Sequence, residues 1–104
     1  MFLQATLPTS GDHMEIEDLF DEKKTTYTIT DEQSEKSSIT MEKWVADLLQ
    51  EMLPDVHVWI QQKYDLVCEK RPHLSRREKG NVVRALARNE AEKSPNYRSL
   101  ISLL

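Results

Sequence analysis

Cysteine, which forms disulfides, and glycine, which forms phosphate-binding loops, are both scarce in this sequence. Its 104 residues include a single cysteine, Cys68, and only two glycines, Gly11 and Gly80. One cysteine excludes an internal disulfide framework and suits a reducing compartment, so we expect a cytoplasmic protein, or a nuclear one in a eukaryote. Two glycines are too few for a phosphate-cradling loop.

Long hydrophobic runs are also missing. No apolar stretch approaches the ~18–20 residues that a membrane-spanning helix needs, so we expect no membrane contact. The first residues, MFLQATLPTSGDHM, lack a basic segment followed by an apolar one, which argues against a secretory signal. Whether residues 1–13 belong to the native product is left open by the sequence.

Residues able to carry catalysis are few and scattered. His13, His57 and His73 lie on different segments without the spacing of a zinc-binding helix. Cys68 suits a structural role better than a reactive one, and Ser75 looks like a helix cap because no nucleophile motif surrounds it. We therefore expect a non-enzymatic protein without a metal or other cofactor.

The formal net charge of −4 conceals a division between the two halves of the chain. Residues 1–55 carry 13 acidic and 4 basic residues, a net charge of −9, whereas residues 56–104 carry 5 acidic and 10 basic residues, a net charge of +5. Halves of opposite sign can attract one another, or each can contact a different partner.

The acidic half begins with a segment that we expect to be a largely disordered arm, residues 1–36. Within it, MEIEDLFDEKK places Ile16, Leu19 and Phe20 at helical spacing, a pattern that folds on a partner or rests on its own domain. The alternating stretch TTYTIT, residues 25–30, predicts a short strand. This strand needs a pairing partner, either a second chain or SSIT at residues 37–40.

The remaining residues, 37–104, predict a helical domain. Thr40 caps a first helix, which begins its apolar stripe at Met41, and a second helix runs from about Asp55 to about Lys70. A third begins after Ser75 and turns Val82, Val83 and Leu86 inward; Glu78 completes its capping box. A short fourth segment follows Ser94-Pro95. The fold class is thus mostly α, a small three- to four-helix domain with a short strand or ribbon before it.

The second helix is apolar on two sides. One stripe holds Val56, Ile60, Tyr64 and Val67, and a second set extends the apolar surface elsewhere: Val58, Trp59 and Leu66. A helix this apolar is central to its domain or shared with another chain. Because the helical core is small, we expect a homodimer.

The third helix carries a basic stripe in HLSRREKGNVVRALARNEAEK, residues 73–93. At about 100° per residue its basic and amide side chains share a sector that we expect to be free in solvent. Guanidinium groups suit phosphate oxygens and guanine edges, and an asparagine amide suits adenine. The candidate nucleic-acid-binding residues are Arg76, Arg77, Lys79, Asn81, Arg84 and Arg88.

Two functions therefore compete. The first is a dimeric regulator that binds double-stranded DNA through the basic helix, residues 75–93. The second is a protein-binding adaptor or inhibitor that acts through its acidic N-terminal segment and the apolar belt of the helix at residues 55–70. The residues that would bind the partner are Ile16, Leu19, Phe20, Val58, Trp59 and Leu66.

Overall fold

The structure, a computed structural model, describes residues 14–104. A short 3-10 helix (Ile16–Phe20) precedes an antiparallel hairpin of strands β1 (Lys24–Thr30) and β2 (Lys36–Glu42). Four helices follow: α1 (Lys43–Met52), α2 (Val56–Lys70), α3 (Arg76–Ala91) and α4 (Pro95–Ile101). The mostly helical class with a short ribbon is confirmed. None of the helices between residues 14 and 104 is long and apolar enough to cross a membrane.

The hairpin is paired within the chain. Tyr27 lies opposite Ile39 in the ladder, and the register runs from Lys24↔Glu42 to Thr30↔Lys36. Side chains alternate between the two faces, so Ile29, Ile39 and Met41 are buried against the helices. The boundary expected between residues 36 and 37 therefore falls at the start of β2, inside an element whose two strands both supply the core.

A tight turn closes the hairpin at residues 31–35. The Asp31 N–H donates to the Glu35 carbonyl at 2.8 Å, and Asp31 Oδ1 accepts from the backbone N–H groups of Gln33 and Glu35 at 2.9 Å each. Ser34 adopts a left-handed conformation with φ of 63°. This turn projects Glu32 toward the helices.

The helix caps follow the sequence signals, with one exception. Ser75 and Glu78 form the expected capping box of α3, and Ser94 accepts hydrogen bonds from two backbone N–H groups at the start of α4. Thr40, however, does not cap α1. It lies in β2 because strand pairing continues to Glu42, which occupies the N-cap position of α1.

The core forms where the hairpin rests on α1, α2 and α3. From α1 it takes Val45, Leu48 and Leu49. The stripe predicted on α2 is buried as expected, and its members are Val56, Ile60, Tyr64 and Val67. Helix α4 packs at one side, where Tyr97 stacks on Trp44 with ring centroids 5.8 Å apart.

Helix α3 is rotated from its expected orientation. Val83 is fully buried, but Val82 and Leu86 are only half-buried. The inward face instead carries small residues and one lysine, namely Lys79, Gly80, Val83, Ala87 and Ala91. Small side chains let α3 approach its neighbours closely. Because α3 is rotated, its basic sector lies next to the core rather than opposite it.

Candidate interaction surfaces

The outer face of α2 presents apolar side chains to solvent. Val58 is 50% exposed and Leu66 is 36% exposed, and Trp59 is half-buried under the Lys63 ammonium, which lies 5.3 Å from its ring centroid. The same face carries Glu69, which is exposed and has no ion pair in the part of the chain that the structure describes. The surface therefore combines apolar side chains with an exposed carboxylate and the Lys63 ammonium.

A shallow pocket of about 290 Å³ lies at the elbow between α1 and α2. It is lined by Tyr27, Gln50, Leu53, Pro54, Asp55, Val56 and His57. The Tyr27 hydroxyl is buried and meets no hydrogen-bond partner within residues 14–104. Burial raises the pKa of Tyr27, and nearby Asp47 adds to the rise, while the Gln50 amide, which approaches the hydroxyl without hydrogen-bond geometry, partly offsets it.

The open edge of β2 is covered by arginines of α3. Arg76 donates from Nε to Ser37 Oγ at 2.7 Å and from Nη2 to the Ser38 carbonyl at 2.6 Å. Arg84 donates from Nη1 to the Thr40 carbonyl at 3.3 Å. These contacts satisfy outward-facing strand carbonyls, which would otherwise invite pairing with another chain. Two arginines expected to be free in solvent are therefore engaged within the protein.

The open edge of β1 is covered in the same way by α2. The Gln61 amide exchanges two hydrogen bonds with the backbone of Thr30, at 2.8 and 2.9 Å. The ring of His57 donates from Nε2 to the Thr28 carbonyl. His57 is thus an edge-capping residue, and helices cover both edges of the hairpin.

A charge network that is buried at its lysine joins the exposed hairpin turn to α3. Lys79 is only 3% exposed, and its Nζ donates to Glu32 Oε2 at 2.5 Å. The Tyr64 hydroxyl donates to the other oxygen of the same carboxylate at 2.5 Å. The bonds from Lys79 and Tyr64 lower the pKa of Glu32 from 4.5 to about 2. Lys79, expected to contact nucleic acid, is instead paired inside the protein.

We expect this network to make folding stability depend on pH at the acidic end. Because the pKa of Glu32 is lowered on folding, its contribution is complete above about pH 4.5 and is lost as the pH falls toward 2. Thermal melting should show Glu32→Gln lowering the melting temperature at pH 7 and flattening its decline between pH 4.5 and 2. Glu35→Gln is the control in the same exposed loop. Equal pH profiles for Glu32→Gln and the unmodified chain would contradict the network.

The other members of the basic stripe differ in their surroundings. Arg88 pairs with Glu42 Oε2 at 2.7 Å, and Asn81 accepts from Arg84 at 2.5 Å. Arg77 is exposed and makes no hydrogen bond or ion pair to any residue from 14 to 104. Of the six predicted residues, only Arg77 therefore matches the expectation of an unoccupied cation. The basic sector is therefore only partly free in solvent, with its lysine buried and Arg77, Asn81 and Arg88 exposed, and its contact with nucleic acid stays a prediction.

The acidic N-terminal segment rests on its own domain in the described part. Ile16 and Leu19 are half-buried against the core, so these two predicted partner contacts are engaged within the chain. The side chain of Phe20 and all of residues 1–13 lie outside what the structure describes. From residue 14 to residue 36, the expected arm is a 3-10 helix followed by a paired strand.

Cys68 lies beside the charge network of Glu32, Tyr64 and Lys79. Cys68 is half-buried, and burial raises the pKa of its thiol, which disfavours the reactive thiolate. Among residues 14–104, no three His, Cys, Asp or Glu side chains are grouped to hold a metal ion. No known protein family, curated protein or solved structure matches this chain.

Proposed function

We propose that this chain is a small non-enzymatic interaction module, an adaptor or inhibitor, that binds a partner protein through the outer face of α2. The observation that supports it is a single helix with two apolar faces. One face builds the core, while Val58 and Leu66 remain at least one-third exposed. Exposed apolar groups on a rigid helix beside a half-buried tryptophan suit a protein contact, since aromatic side chains commonly anchor interfaces.

The structure favours this surface over the basic helix as the main contact. Arg76 and Arg84 are bonded to strand carbonyls, and Lys79 and Arg88 are paired with carboxylates of the same chain. Binding of duplex DNA by the whole stripe would require these contacts to break. The outer face of α2 needs no such rearrangement.

The occupant that fits this face is an amphipathic segment with basic residues. Asp65 and Glu69 are exposed on α2 and carry no ion pair within the described range. A segment with apolar side chains and Lys or Arg complements both the exposed apolar side chains of this face and its two exposed carboxylates.

The test uses Trp59 fluorescence in a Trp44→Phe background and a library of amphipathic peptides that differ in charge. We expect the best binders to combine apolar and basic residues, and the paired change Val58→Ser with Leu66→Ser to weaken them at least ~10-fold. Leu103→Ser is the control, because Leu103 is exposed elsewhere on the chain.

Two results would overturn the proposal. One is equal binding by the paired α2 variant and the Leu103→Ser control. The other is a homodimer, seen by sedimentation, that the paired variant converts to monomer, because the occupant of the face would then be a second copy of this chain.

A further inference from the structure

Two arginines of α3 converge over Gly80. The point where a Gly80 side chain would begin lies 3.0 Å from Arg76 Nη1 and 3.6 Å from Arg84 Nη2. Arg76 and Arg84 are four residues before and after this glycine, one helical turn in each direction. A side chain at position 80 would crowd Arg76 Nη1, whereas Arg84 Nη2 would lie at ordinary van der Waals distance from it.

Both groups keep unused hydrogen-bond donors. A guanidinium has five N–H donors. Arg76 uses Nε and Nη2 on β2, so Nη1, the atom nearest Gly80, has no acceptor within residues 14–104. Arg84 uses one contact to Thr40 and one to Asn81, so it retains further N–H groups.

The charges of this pair are not compensated. Across the described residues, carboxylates pair with Lys79 and Arg88, but neither Arg76 nor Arg84 has an ion pair. Both are held by carbonyl, hydroxyl or amide oxygens, and Arg76 also lies 5.1 Å from the Tyr64 ring centroid. Two cations fixed in this way beside exposed Arg77 leave a localised positive charge in a chain of net charge −4.

We propose that Arg76 and Arg84, with Arg77 beside them, form a binding site for a single phosphoryl group. Convergent guanidinium groups match the geometry and charge of phosphate oxygens better than a lysine does. A single group fits better than a polyanion, because carboxylates of this chain already neutralise Lys79 and Arg88, so few free cations remain on α3 to hold an extended phosphate backbone. The phosphoryl group belongs to a free phosphate or to a phosphorylated side chain.

This site is separate from the outer face of α2 and does not depend on the function proposed for that face.

The test follows backbone and arginine Nε–H signals by NMR during addition of inorganic phosphate, a phosphoserine peptide with its unphosphorylated twin, or a short DNA duplex. We expect saturable shifts at Gly80, Arg76 and Arg84. Tighter binding of the phosphopeptide than of phosphate would identify a side chain as the source, and the reverse would identify free phosphate. In either case, the ligand that carries the phosphoryl group must bind at least ~10-fold more tightly than the unphosphorylated peptide.

Three variants make the test specific. Arg84→Gln should remove the shifts. Gly80→Ala should weaken binding several-fold because its Cβ meets Arg76 Nη1 at 3.0 Å, although alanine favours the helix. Arg98→Gln is the control, since it removes the same charge from an exposed position on α4. Melting curves establish that each variant is folded.

The proposal fails if Arg98→Gln reduces binding as much as Arg84→Gln, because the effect would then reflect net charge alone. It also fails if the duplex binds more tightly than the phosphopeptide with a steep dependence on salt, which would assign the arginines to a nucleic-acid backbone. If Gly80→Ala bound phosphate as tightly as the unmodified chain, the convergence of the two arginines over Gly80 could not be what forms the site.

Discussion

Replacing Ile39 with alanine should lower the free energy of unfolding by about 2–5 kcal/mol, the cost of emptying a fully packed site. Ile39 lies on the inner face of β2 and is 0% exposed. Because the hairpin rests on α1, α2 and α3, the helices should lose stability together with the ribbon. Thermal and urea unfolding followed by the helical circular dichroism signal measure this loss.

The neighbouring residue provides the control for this substitution. Ser38 is exposed, and only its backbone carbonyl is engaged, by Arg76, so Ser38→Ala should change stability by no more than about 0.5 kcal/mol. If Ile39→Ala left the helical transition unchanged, the hairpin would be an appendage, and the arm expected from the sequence would extend through β2.

Tyr64→Phe should also be costly, by about 1.5–3 kcal/mol, the range for a hydrogen bond to a charged group. The Tyr64 ring is fully buried, and its hydroxyl donates to Glu32 at 2.5 Å. Burial, followed by the bond to this carboxylate, raises the pKa of Tyr64. Phenylalanine keeps the packing but leaves Lys79 as the carboxylate's remaining side-chain partner.

Tyr27→Phe is the matched control for that loss. The Tyr27 hydroxyl is buried but has no hydrogen-bond partner within residues 14–104, so its removal should be neutral or slightly stabilising. Urea unfolding of the two variants separates the contribution of the network from the general cost of losing a tyrosine hydroxyl. Equal losses for Tyr64→Phe and Tyr27→Phe would contradict a special role for Glu32.

Local signals predicted much of the helical part. The capping box at Ser75, the Ser94-Pro95 start of α4 and the buried stripe of α2 each depend on residues within a few positions of one another. Such patterns are readable because the physics is local. The outward position of Val58 and Leu66 was predicted for the same reason.

The surroundings of α3 were not predictable from local signals. Glu32 contacts Lys79 across 47 positions and Arg88 contacts Glu42 across 46, and no spacing in one sequence indicates such pairs. In the sequence, Gly80 is only one of two glycines, too few for a phosphate-cradling loop. Its position midway between Arg76 and Arg84 is the one signal that points to a shared site, but it becomes interpretable only with the three-dimensional arrangement.

Arg76 and Arg84 of α3 are bound to the edge of β2 rather than free in solvent. The most direct measurement is the hydrogen exchange of the arginine Nε–H groups, assigned individually by NMR. We predict slow exchange for Arg76, whose Nε bonds Ser37 at 2.7 Å, and fast exchange for its exposed neighbour Arg77. Equal, fast exchange for Arg76 and Arg77 would contradict the account.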